Sequence, residues 1–226
     1  MTPRFSLLDQ LTLAVFAVQA AFALHIGFNG PTTPLPLHFG PDLQPDRWGD
    51  RVEFAVVCGG LTLIGFIAAT GLALAARLAA KEGDVFRRRS LRTGQGILLF
   101  AFAAIGLMIA WLSLGGAPLE DRGAILMGGL SLIFLVLGGF VGRVSPNRLV
   151  GVRTPWSYGS RLAWDRSNRL AGRLFFLLGL AGVIAAPVAP QPLALHVLTG
   201  AVIASAALSA FESWRVWRAD PDRTSL

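Results

Sequence analysis

The sequence predicts an all-α polytopic membrane protein: a six-helix transmembrane bundle with both termini in the cytoplasm. Three observations carry this. Hydrophobic residues make up 54% of the chain and charged residues only 15%, with a mean hydropathy of +0.59, whereas a soluble domain carries about a quarter charged residues. Six stretches are apolar for about 20 residues, the length needed to cross some 30 Å of hydrocarbon. Finally, 17 of the 20 Lys and Arg residues fall in alternate connections.

The six stretches run over 8–28, 52–76, 94–114, 124–142, 174–190 and 193–211. None shows the dyad alternation of a membrane barrel strand. The first is longer than a signal-peptide core of about 7–15 residues and is read as a retained span. The fifth is short and ends at Pro187 and Pro190, predicting a tight turn before the sixth. Basic residues crowd the N-terminus, the 77–93 and 143–173 connections and the C-terminal tail; the opposite set holds only Arg47, Arg51 and Arg122. Lys and Arg are retained on the cytoplasmic side, which places the crowded set inside. The net charge of +7 therefore reports topology, and no direct nucleic-acid binding is expected. Asp9, Glu53, Arg77 and Glu212 fall near span ends, where snorkelling would serve them. Charge-free span centres weigh against an ion pump.

Two small-residue pairs, Gly138/Gly142 and Gly200/Ala204, suit close helix contact, inside the bundle or across a homodimer. The single Cys58 lies in an apolar run and reads as a buried thiol. Residues 1–80 read as a two-helix N-terminal module, and 81–226 as a four-helix module.

Two connections carry more information than a link requires. The outer one, 29–50, has prolines at 31, 34, 36, 41 and 45. Pro34 to His38 reads as stiff and extended, since proline fixes φ; Gly40-Pro41 marks a turn; Trp48 suits the headgroup level. A lid over the bundle and a plain interfacial loop both fit. The inner one, 142–173, holds seven arginines and two tryptophans, composition suited to an amphipathic surface element. Arginine also grips carboxylate or phosphate through a two-pronged fork, and anionic lipid headgroups would satisfy that equally. Ser145-Pro146-Asn147 is a turn signal. Leu149 to Val152 reads as extended, Pro155 disfavours helix at Thr154, and Ser160 can cap a helix leading into the fifth span. Asp165, the only acid in this connection, is expected to pair with an arginine along that helix.

No P-loop, HExxH, GxSxG or dinucleotide fingerprint is present, and no enzyme activity or cofactor is expected. Gly94-Gln95-Gly96 is a stub that reads as helix packing. No metal is expected; His25, His38, His196 and Glu53, all on the outer side, are the only candidate ligands.

The string Ser145-Pro146-Asn147, then Gly151-Val152-Arg153-Thr154-Pro155-Trp156, then Trp164 resembles the signature of the bacterial SdpI family. The outer Pro36-x-His38-x-Gly40 with Trp48-Gly49 is similar to the small N-terminal module that often precedes it. The chain departs from the pattern at Asn168, where the family often has His. The resemblance implies a multi-pass protein of the bacterial inner membrane. The family's best-known member protects cells from a secreted killing peptide and signals inward by holding a small winged-helix repressor at the membrane. By that likeness Arg153, Arg161 and Arg166 become candidates for partner contact. Pro146, Asn147, Gly151, Thr154, Pro155, Trp156 and Trp164 would form the loop that presents them, and Pro36, His38, Gly40 and Trp48 an outer ligand loop. The alternative is a small transporter or channel for a hydrophobic or peptide solute.

Overall fold

The structure is a computed structural model that describes residues 5–114, 119–147 and 149–224; Arg4 and Arg148 of the basic set lie outside these. The elements are α1 (Leu7–Asn29), β1 (Leu35–Phe39), β2 (Pro45–Gly49), α2 (Arg51–Lys81), α3 (Val85–Leu114), α4 (Leu119–Val141), α5 (Pro155–Tyr158), α6 (Arg161–Ala185) and α7 (Leu193–Ala219). Six of the helices are long and apolar enough to cross a membrane. Their lateral faces leave large side chains uncovered: Val18 is 69% exposed, Ile64 62%, Leu107 74% and Ile203 65%. Apolar surface on this scale has no stable place in water. The chain is a multi-pass membrane protein.

Helix ends are set by local chemistry. Ser6 and Asp9 form a reciprocal capping box at the start of α1, and the Asp50 carboxylate accepts the Val52 and Glu53 N–H groups at the start of α2. Several boundaries differ from the hydropathy reading, and two have a plain cause. α3 begins at Val85, nine residues before the apolar run, because arginines propagate helix nearly as well as leucine. α6 stops at Ala185, and 186–192 make the turn to α7, since Pro187 cannot extend a helix into its neighbours.

α3 packs mainly on α2, which packs on α1; α4 lies along α6, which packs on α7. Phe16, Phe66 and Phe102 meet where the first three helices converge. The α4–α6 contact is the most extensive, and glycine makes it so. A Cβ at Gly138 would sit 2.7 Å from the Gly172 carbonyl oxygen, and one at Gly179 2.6 Å from that of Ser131. Small residues bring backbones together in lipid, where no hydrophobic force drives helices to associate. Gly179→Val is therefore expected to force the pair apart and to cost about 1–3 kcal/mol, read as a lowered melting temperature in detergent. Gly138/Gly142 thus packs within the bundle, whereas Gly200 meets nothing of its own chain and Ala204 is exposed.

Snorkelling does not describe the ends of α1 to α3 that carry Asp9, Arg77 and Arg92. Asp9 is only 5% exposed and pairs with both Arg92 and Arg77, the latter at 3.1 Å. Gln95, wholly buried, donates to Thr12 at 3.0 Å and accepts from Arg92 at 2.8 Å. A carboxylate off the first turn of α1 is too short to reach water once α2 and α3 close over it, so it takes its partners from them.

Candidate functional site

The inner connection folds into a packed cap from Val144 to Ser160. Asn147 organises its first half. Its amide oxygen accepts the Leu149 and Val150 N–H groups, both at 2.8 Å, and its amide nitrogen donates to the carbonyls of Ser145 and Val150. This puts successive bends at Leu149 to Gly151, in a stretch, Leu149 to Val152, expected to be extended. Gly151 takes φ +114°, a value L side chains rarely adopt. A Cβ there would stand 2.6 Å from Asn168 Oδ1 and 3.1 Å from the Trp164 ring. Gly151→Ala is accordingly expected to cost about 1–3 kcal/mol, visible as faster proteolysis of the cap.

Trp164 is the floor of the cap. It is 0% exposed, and its indole N–H donates to the Val144 carbonyl at 2.8 Å. Such burial makes it an anchor for the loop. Asn168, one helical turn on, accepts the Val152 N–H at 2.7 Å and donates to the Trp164 carbonyl at 3.0 Å. At this position, then, the side chain closes the loop onto α6.

The second half is fixed to α7. Thr154 caps α5 with Pro155 in its first turn, and the Thr154 and Ser157 side chains form a reciprocal capping box. The Thr154 and Ser213 hydroxyls share a hydrogen bond of 2.7 Å. Ser160 caps α6, as its sequence position suggested, and also donates to Asp220. The Thr224 N–H donates to the Gly159 carbonyl at 2.9 Å. On the side of α3, Ser90 accepts the Ser145 N–H at 2.9 Å.

What this scaffold leaves outside is basic. Arg153, Arg161 and Arg166 are exposed, along with Pro146 and Pro155, and Trp156 is half-buried. Asp165 pairs with Arg161 at 3.5 Å, one turn away. The fold thus brings the inner candidates together and divides them: Asn147, Gly151, Thr154 and Trp164 build the cap, and the arginines cover it.

Residues 143–211 match the model of the SdpI/YfhL protein family. That segment belongs to the SdpI family. It takes in the cap, all of α6 and most of α7. No curated protein and no solved structure matches the chain.

At the opposite end of the bundle, the outer connection is a β-hairpin. β1 and β2 pair antiparallel, with Pro36 opposite Trp48 and His38 opposite Arg47. Pro36 and Gly40 are buried, while Trp48 is 54% exposed. His38 Nδ1 lies 2.6 Å from the Asp46 carboxylate, and Glu53 pairs with Arg47. Among the described residues no group of His, Cys, Asp and Glu could hold a metal ion; His25, His38 and His196 are not brought together.

The hairpin belongs by sequence to α1 and α2, but its tip reaches the other half of the bundle. Leu43, at φ +63°, packs with Met127 of α4, Ala186 in the turn after α6 and Leu195 of α7. A left-handed backbone costs a non-glycine residue about 1–2 kcal/mol, which burial of the leucine offsets. Arg122 of α4 lies over the Phe39 ring at 5.7 Å, and its Nε and Nη1 are buried without a hydrogen bond. No motif flagged Leu43 or Arg122. Also unflagged was Gln19, at the middle of α1, which donates to the Phe102 carbonyl at 2.8 Å. It lines a largely apolar cavity of about 400 Å³ between α1, α2 and α3. A lone amide within an apolar run was the available signal.

Proposed function

We propose that this protein is a non-catalytic immunity and signalling protein of the bacterial inner membrane. In this reading the outer hairpin senses or neutralises a secreted toxic peptide, and the arginine face of the cap engages a small winged-helix repressor in the cytoplasm. The observation that carries it is the family match falling on a rigid cap whose exposed groups are Arg153, Arg161 and Arg166. Exposed arginines on a fixed frame suit an acidic protein surface better than those on a mobile loop, because less side-chain and loop entropy is lost on binding. The excess of Lys and Arg at this end supports its cytoplasmic placement.

The outer side has matching features. Trp48 and the His38–Asp46 pair are exposed on the hairpin, and the buried Arg122 guanidinium beside Phe39 would suit a peptide carboxylate. Coupling requires that each ligand distinguish two states of the bundle. Leu43 supplies a contact through which movement of the hairpin would reach α4, α6 and α7. Gly200 and Ala204 are the outward small-residue pair on which a second copy would pack.

Survival of a sensitive host challenged with toxic peptides tests the outer half. Protection is expected from the wild type, with loss in Trp48→Ala; no protection across a broad panel would favour transport. Membrane recruitment of a fluorescent winged-helix repressor tests the inner half. Arg161→Glu with Arg166→Glu is expected to lower recruitment about ten-fold or more, as reversed charges at a charged interface cost several kcal/mol. The cavity beside Gln19 supports the second reading, a transporter for a hydrophobic solute. Filling it with Gly106→Leu would abolish solute uptake on that reading and leave peptide protection intact on the first.

A further inference from the structure

A second basic feature lies outside the cap's partner face, between the arginine-rich ends of α4 and α6. The close approach at Gly138, Gly142 and Gly172 leaves no side chain to fill the space above, and a groove of about 570 Å³ opens there. Its rim carries Arg143, Arg169 and Arg173, all exposed, and no acidic residue lines it. Among the described residues none of the three makes a side-chain hydrogen bond or an ion pair. Arg169 and Arg173 are one helical turn apart, a spacing at which like charges repel. Asp165, placed one turn before Arg169, pairs instead with Arg161. Toward the bilayer centre the groove continues onto Phe176 and Leu177, 42% and 60% exposed.

We infer that this groove is a binding site for an anionic phospholipid of the adjoining leaflet. Three unneutralised guanidinium groups at the level where an apolar helix face begins match a phosphate at headgroup depth, which arginine holds through paired N–H donors. The apolar floor matches an acyl chain. Basic pockets between transmembrane helices on the cytoplasmic side are established headgroup sites. A protein partner is a weaker fit, because the groove runs down into the apolar zone.

The test uses the purified full chain in neutral detergent, titrated with short-chain phosphatidylglycerol, short-chain phosphatidylcholine and soluble glycerol phosphate. Phosphatidylglycerol is expected to bind at least about ten-fold more tightly than phosphatidylcholine, as two or more charge-assisted hydrogen bonds would give. Arg169→Gln with Arg173→Gln should remove that preference, while Arg88→Gln with Arg89→Gln, an equal loss of charge at the same end of the bundle, should keep it. Gly139 lines the groove, and a Cβ there would meet nothing within 4 Å. Gly139→Leu therefore obstructs the groove without altering charge or helix packing, and it should weaken phosphatidylglycerol binding at an unchanged melting temperature. Equal affinity for the two lipids, an equal loss in Arg88→Gln with Arg89→Gln, or full binding by Gly139→Leu would each overturn the site. Displacement of lipid by equimolar glycerol phosphate would overturn the lipid assignment by showing that the site takes the phosphate alone.

Discussion

Trp164→Ala is expected to remove about 3–5 kcal/mol of stability, the largest loss from any single side chain of the cap. Trp164 is wholly enclosed, so its truncation opens a cavity beneath the loop and leaves the Val144 carbonyl without its indole donor. Gly151 packs on the ring, and collapse into the cavity would pull it out of its left-handed geometry. Trp164→Phe separates the two contributions. It keeps much of the packing and loses the hydrogen bond, for about 1–2 kcal/mol. Melting temperature in detergent reads both. Limited proteolysis after the cap arginines should quicken in the order wild type, Trp164→Phe, Trp164→Ala.

Asp9→Asn is expected to cost about 3 kcal/mol, because removing one partner of a buried ion pair strands the other. Here it strands two: Arg77 and Arg92 would face each other across the ends of α1, α2 and α3 with no carboxylate between them. Arg92→Gln should cost less, since the Asp9–Arg77 pair survives and Gln95 still donates to Thr12. That ranking is the check. If Arg92→Gln proved the more damaging variant, the charge balance of the cluster would matter less than its packing. Asparagine at position 9 retains much of the shape that caps α1, so a melt of Asp9→Asn reads mainly electrostatics.

The six spans and the turn chemistry were legible because each depends on a short window. A run of about 20 apolar residues means a crossing whatever its neighbours do. Ser160 as a cap and Asp165 paired with Arg161 follow from spacing within one helix. The outer segment was legible as extended with a turn at Gly40-Pro41, though not as paired, since pairing needs Asp46 to Trp48 opposite Pro36 and His38. What stayed hidden depends on tertiary neighbours. Asp9 looked like a terminal residue at liberty to snorkel, and only the approach of α2 and α3 makes it a buried counter-ion. Trp164 read as one member of a signature that shapes the loop; its complete burial is decided by Val144 and Gly151, up to twenty positions away. Leu43 carried no signal, because a lone leucine in a proline-rich loop is ordinary until its partners, more than eighty residues on, are known.

Gly159 and Ser160 are held by Thr224 and Asp220, 65 and 60 residues downstream. The order of biosynthesis follows from that. A ribosome delivers residues 143–160 well before the last span, so the nascent loop emerges with two of its polar groups unclaimed. It is fastened only when the segment past α7 has cleared the translocon and folded back. Until then the arginine face is assembled but not yet locked, and truncation upstream of Asp220 would arrest it at that stage.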